Sequence, residues 1–185
     1  LDLQPYIPVL IDEVYIDFGR ESAGPAIADH PNLLVVHTMS KARGLAGLRV
    51  GYALGDKDLI DALTRVKDSF NSYPLGTVAQ AGAAASVRDE AYFKDYCSRI
   101  VTGREAMTRK LTALGFKVLP SSANFVFARH PNRKGKELAA GLRERAILVR
   151  HFDKPRTTEY LRITVGTEDD TQRLIAAAAD ILNSD

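Results

Sequence analysis

The chain has 185 residues, 45% of them hydrophobic and 26% charged, the makeup of a globular protein of one good-sized domain or a large piece plus a small one. Its formal net charge of +2 gives no reason to expect nucleic acid or an anionic membrane as a partner. Cys97 is the single cysteine, so an intrachain disulfide is excluded and a reducing, cytoplasmic setting is expected; no apolar run approaches the roughly 20 residues that span a bilayer.

In chain order, "LDLQPYIP" reads as a loop and lacks a start methionine or leader pattern. "PVLIDEVYIDF" (8–18) opens apolar and turns acidic, and "NLLVVHTMS" (32–40) opens β-branched and turns polar. Both read as buried strands that end where the polar residues begin. The segment between them has the Gly, Pro, Ser and Asp of a loop with a short helical turn. "LRVGYALG" (48–55) is a third strand. "KDLIDALTRVKDSF" (57–70) shows helical spacing, and "TVAQAGAAASVRD" (77–89) is a small-residue helix with Thr77 as its predicted N-cap. A long amphipathic helix is predicted from Glu90 to Leu114, with Phe93, Tyr96, Ile100, Met107, Leu111 and Leu114 on one stripe and Gly115 as its stop.

The remainder changes character. "FKVLPSSANFVFAR" reads as two strands around a turn, "KGKELAAGLRERAI" as a helix, and "ILVRHF" and "YLRITVG" as strands. "TEDDTQRLIAAAADIL" is a closing helix capped by Thr167 with acids in its first turn. This β-β-α-β-β-α order predicts a small α+β unit from about residue 115, preceded by part of an open α/β sheet.

Ligands of open parallel sheets bind beyond the carboxyl ends of the strands. Asp12 closes the first strand and Lys41 follows the second, so if those strands are neighbours a carboxylate, the Tyr15 phenol and an amine converge. Thr38, Ser40 and Arg49 add hydroxyls and a guanidinium suited to a phosphate. Each alone has a bland reading: a solvated lysine, a loop acid, turn glycines at 44 and 47. Together they supply what pyridoxal phosphate needs: an amine to join its carbonyl, a carboxylate for its ring nitrogen and a phosphate cradle. The four histidines show no metal-ligand spacing, so no metal is expected, and core or surface roles fit them better. Tyr73 either lines the crevice or packs. No GxGxxG follows a strand, which argues against a dinucleotide-dependent dehydrogenase.

"IDEVY", "TMSKARGLAGLRVGY", "ANFVFAR" and "YLRITVGT" resemble, in order and over nearly the whole chain, the fold-type I class I/II aminotransferases. Within them the chain is most similar to the histidinol-phosphate branch. The resemblance implies an α/β fold. Residues 1–95 would be the C-terminal part of a large, mostly parallel-sheet cofactor domain, and residues 96–185 a linking helix and small α+β domain. It implies pyridoxal 5′-phosphate as cofactor, linked to Lys41, which would also shuttle the proton. Asp12 would keep the ring nitrogen protonated, and Tyr15 would bond the ring's phenolic oxygen. Thr38, Ser40 and Arg49 would bind the phosphate. Arg162 and Arg150 would bind the acidic end of the substrate, with Asn124 near its mouth. The partners implied are a small amino donor, a 2-oxo acid such as 2-oxoglutarate, and a second subunit in a homodimer. The family pattern also includes a glycine turn, a ring-stacking aromatic and an "NPTG"-type asparagine, which this chain does not contain. On that basis it corresponds to a C-terminal half, and the isolated half is expected to bind cofactor weakly. Two further readings stand beside this one. One is another class I/II member, an aromatic aminotransferase or a threonine-phosphate decarboxylase. The other is a non-catalytic half-domain that binds a phosphorylated molecule through Arg49 and Arg162.

Overall fold

The computed structural model describes residues 7–184, so the opening loop predicted at residues 1–8 lies almost wholly outside the described residues. Two compact units divide between Cys97 and Ser98.

In the first unit, β1 (Val9–Asp12) runs parallel to β2 (Leu33–Thr38), in a register from Val9↔Leu33 to Asp12↔Val36. β3 (Gly51–Gly55) pairs with the other edge of β2, antiparallel, with Thr38 opposite Gly51. The expected parallel character therefore holds for β1 and β2 and reverses at β3. The cause is the connection: residues 39–50 hold only a short 3-10 turn, Ala46–Leu48, and no crossover helix that would return a strand in parallel. The predicted third strand accordingly begins at Gly51 rather than at Leu48. The loop between β1 and β2 holds two 3-10 turns, Ile16–Phe18 and Gly24–Ala28.

Helix α1 (Lys57–Phe70) is capped by Asp56, whose carboxylate accepts from the Asp58 N–H at 2.9 Å. Helix α2 (Thr77–Arg88) corrects one expectation. Gly76 takes the extended cap conformation, so Thr77 lies one residue inside the helix and its hydroxyl caps nothing. Helix α3 (Glu90–Ala113) carries the predicted stripe: Met107 and Leu111 are 1% exposed, and Phe93, Tyr96, Ile100 and Leu114 are half-buried. Gly115, at φ 86°, stops it as predicted. The Phe116 N–H donates to Leu111 O and the Gly115 N–H to Thr112 O, the paired bonds of a Schellman ending.

The second unit follows the predicted order: β4 (Lys117–Leu119), β5 (Phe125–Arg129), α4 (Gly135–Glu144), β6 (Arg150–His151), β7 (Leu161–Thr164) and α5 (Glu168–Asn183). All pairings are antiparallel, in the spatial order β4-β5-β7-β6. β6 is shorter than "ILVRHF" predicts. The chain leaves α4 through a left-handed turn at Ala146 (φ 58°), and only Arg150 and His151 reach the pairing edge. Val126, Ala128, Leu161 and Ile163 alternate inward from the sheet and meet Leu138 and Leu142 of α4 and Leu174 of α5. Helix α5 opens with the predicted capping box: Thr167 Oγ1 accepts from the Asp170 N–H, and the Asp170 carboxylate accepts from the Thr167 N–H.

Candidate active site

The end of β2 and the loop after it form the core of the site. The Ser40 N–H donates to Thr38 Oγ1 at 3.1 Å, and the two hydroxyls lie 3.0 Å apart. Lys41 is half-buried, with its Nζ 5.5 Å from the centroid of the Tyr15 ring. This contact brings the predicted amine and phenol together. Asp12 lies where the sequence places it, at the end of β1 and level with Val36 of β2. Its side chain is exposed, and its carboxylate accepts from the Val14 N–H at 3.1 Å.

Arg49 is exposed and holds a left-handed backbone, φ 56°. Its guanidinium donates to Ala46 O at 3.1 Å. This uses one of five donors and leaves the others for an anion. The loop that carries these groups is shaped by its own apolar residues. Met39, Leu45, Leu48 and Val50 pack on Ala79 and Ala83 of α2. The small residues of α2 allow that approach: a Cβ at Gly82 would lie 2.8 Å from Leu48 Cδ1. Gly44, at φ 67°, makes the turn after Lys41. Arg43 anchors the loop's outer side. Its guanidinium sits 3.6 Å from the centroid of Phe93 and donates to Ser86 O at 2.5 Å, in the last turn of α2 where a cation is favoured.

In the second unit, Arg162 of β7 lies between Phe127 of β5 and Arg150 of β6 in register, all on one face of the sheet. Two like charges directly opposite each other destabilise a sheet unless something else compensates. Here they stack on aromatic rings. Arg150 lies 5.3 Å from the Phe152 centroid, and Arg162 5.2 Å from Phe125 and 5.8 Å from Phe152. Arg129 lies 5.7 Å from the Tyr160 ring and its buried Nε has no hydrogen-bond partner. Among the described residues, no carboxylate pairs with Arg129, Arg150 or Arg162. Such a face suits an anion. Asn124, at the turn into β5, accepts the Val165 N–H through its backbone carbonyl at 2.9 Å.

Tyr15 and Lys41 are thus brought together, as are Thr38 and Ser40, and Arg150 and Arg162. Asp12 and Arg49 stand exposed at their strand and loop ends. Tyr73, with two readings open, is 92% exposed and packs on nothing that would bury it. Cys97 is buried as expected, and burial pushes its thiol up from the usual range.

Four polar residues of this region, Glu13, His37, Asp17 and Tyr52, escape a reading by motif. Glu13 is 4% exposed. Its carboxylate accepts from Ser22 Oγ at 2.7 Å and from the Ala23 N–H at 2.6 Å, and lies 3.1 Å from His37 Nε2. His37 stacks on Tyr52 of β3, ring centroids 5.0 Å apart. Partial burial pushes the Asp17 carboxyl up, while His37 and Arg43 pull it down. Burial also pushes the Tyr52 phenol up, and Asp17 adds to that. The available signal was strand alternation: Glu13 and His37 each neighbour a site residue and point to the opposite face. Among the described residues, no three His, Cys, Asp or Glu side chains gather to hold a metal, and no helix is long and apolar enough to cross a membrane.

Comparison with known proteins adds relatives to this geometry. The family model for class I and II aminotransferases matches residues 3–177. Histidinol-phosphate aminotransferase 1 of Bradyrhizobium diazoefficiens is 58% identical over 174 residues, which are 94% of this chain and 50% of that protein. The crystal structure of histidinol-phosphate aminotransferase from Sinorhizobium meliloti in complex with pyridoxal-5′-phosphate superposes with a TM-score of 0.84 at 25% identity, covering 95% of this chain and 48% of that one. The crystal structure of L-threonine-O-3-phosphate decarboxylase from Porphyromonas gingivalis gives 0.77 at 25% identity, covering 97% of this chain and 56% of that one. The chain spans about half the length of the curated relatives it matches.

Proposed function

This chain belongs to the family of class I and II aminotransferases and has their fold-type I architecture, and on that premise we propose that it is part of a pyridoxal-phosphate enzyme that moves an amino group from histidinol phosphate to 2-oxoglutarate. The observation that carries the reading is the contact of Lys41 with Tyr15 beside the Thr38–Ser40 hydroxyl pair, at the carboxyl ends of parallel β1 and β2.

The donor set fits the cofactor by its chemistry. Lys41 is the amine that joins it and moves the substrate's α-proton. Asp12 holds the ring nitrogen protonated, and Tyr15 donates to the ring's phenolic oxygen. Thr38, Ser40 and Arg49 hold the phosphate; Arg49 does so with the donors that Ala46 leaves open. When bound, pyridoxal phosphate supplies an electron sink for the carbanion left by proton removal. Arg162 and Arg150, which no carboxylate neutralises among the described residues, bind the acidic end of the substrate, with Asn124 near its mouth.

In this reading residues 1–95 form the cofactor-binding side, and the linking helix and small domain follow from residue 96. The working unit is a homodimer in the cytoplasm. The full-length gene product, given histidinol phosphate and 2-oxoglutarate, is expected to form glutamate. A second reading is favoured by the likeness to the threonine-phosphate decarboxylase structure. Release of carbon dioxide from a phosphorylated amino acid without a 2-oxo acid acceptor would replace the first reading with that one.

A further inference from the structure

Glu13 and His37 lie on the reverse face of the strands whose ends carry the proposed chemistry. In register, Asp12 faces the same way as Val36 and Thr38, and His37 faces the other way; Glu13 follows the end of β1, and its carboxylate meets His37. Glu13 is nearly inaccessible, yet it carries a carboxylate, which a buried site tolerates only with several donors. Two donors reach it, the Ser22 hydroxyl and the Ala23 N–H from the loop that follows β1, and His37 Nε2 of β2 lies 3.1 Å from it. The Glu13 backbone adds an N–H donated to Val36 O at 2.9 Å. His37 is held from its other side by the stack on Tyr52, its direct partner across β3.

One peptide bond separates Glu13 from Asp12, and one separates His37 from Thr38. A side chain clamped on the reverse face therefore sets the direction of its neighbour on the front face. We propose that Glu13 and His37 are a positioning pair, which ties the ends of β1 and β2 from behind and so sets Asp12 and Tyr15 against Thr38, Ser40 and Lys41. Neither residue touches the reacting atoms. The inference rests on the reading of Lys41 as the cofactor-linked amine, and its test separates the two.

Two variants of the full-length protein decide it. His37→Gln keeps an N–H donor at nearly the place of Nε2, and His37→Leu removes it. With cofactor added, His37→Leu is expected to weaken its binding about tenfold, as loss of a supporting partner behind a ligand does. It should also shift the pH midpoint of the bound cofactor's visible absorbance by about half a unit. His37→Gln should restore both values to within about twofold of wild type. Without cofactor, amide exchange is expected to speed up at residues 12–15 and 38–41 in His37→Leu and not in His37→Gln. Unchanged protection in β5 and β7 shows that the fold survives. The pair is overturned if His37→Leu matches wild type in exchange, binding and absorbance, or if His37→Gln is as impaired as His37→Leu. A wild type that binds no cofactor refutes the reading of Lys41, and the exchange comparison still decides whether the pair sets the strand ends.

Discussion

A left-handed backbone at a residue other than glycine is uncommon, and Arg49 holds one at the end of the lysine loop. Its side chain has to justify that conformation, and the proposed role is the cofactor phosphate. Replacement by glycine relieves the backbone but adds chain freedom, so Arg49→Gly should leave stability within about 1 kcal/mol of wild type. Arg49→Ala keeps the strained conformation without the guanidinium. Both should weaken cofactor binding by about 1.5–3 kcal/mol, the worth of a charged hydrogen bond, in a titration followed by absorbance. Equal affinity in wild type and both variants would remove Arg49 from the phosphate site. Lys41 and Arg49 were legible because their types and spacing match a chemical need. Glu13 and His37 were not, because burial gives them meaning and burial is a property of the folded sheet. From sequence alone, an acid after a strand reads as a loop acid and the histidines as core or surface residues.

At the scale of elements, the same Gly-Thr pair precedes two helices, and local rules read its use at one and missed it at the other. Thr167 caps α5 as predicted, whereas Gly76 displaces Thr77 at α2. Thr167→Ala should cost about 1 kcal/mol of stability in a thermal or denaturant melt. The hydrogen bonds from Thr167 hold the Asp170 carboxyl below its usual 3.8. A carboxyl depressed on folding stabilises at pH above its unfolded value, and that contribution is lost as pH falls through the folded value. The gap between wild type and Thr167→Ala should therefore be full at neutral pH and narrow below about pH 4, where the hydroxyl's bond to the carboxylate is lost, while the Asp170 N–H bond to the hydroxyl keeps the rest. A gap independent of acid would mean that the hydroxyl's bond to the Asp170 carboxylate contributes nothing. Helix α2 offers a second test. Gly82→Val pushes against Leu48, so it should destabilise by about 1–3 kcal/mol and loosen the lysine loop in hydrogen exchange. The reversal of β3 was not legible, since only the content of the 39–50 connection reveals it.

Across the whole molecule, the alternation of apolar residues read the second unit more completely than the first. Val126, Ala128, Leu161 and Ile163 meet helix residues of matching period, so one compact core closes around them. Leu161, fully buried, should cost about 2–5 kcal/mol when cut to alanine. The first unit leaves Leu10, Val66, Phe70 and Tyr73 exposed, and alternation alone says nothing of what such residues meet. Order along the chain and residue type indicated the family, and the family model and relatives bear this out. The central claim is that Lys41 is where pyridoxal phosphate attaches. Borohydride reduction of the full-length protein with the cofactor, followed by peptide mass spectrometry, tests it directly. A pyridoxyl-phosphate mass on the peptide that contains Lys41, absent from Lys41→Ala, is the predicted result; no adduct, or an adduct on another lysine that persists in Lys41→Ala, would contradict it.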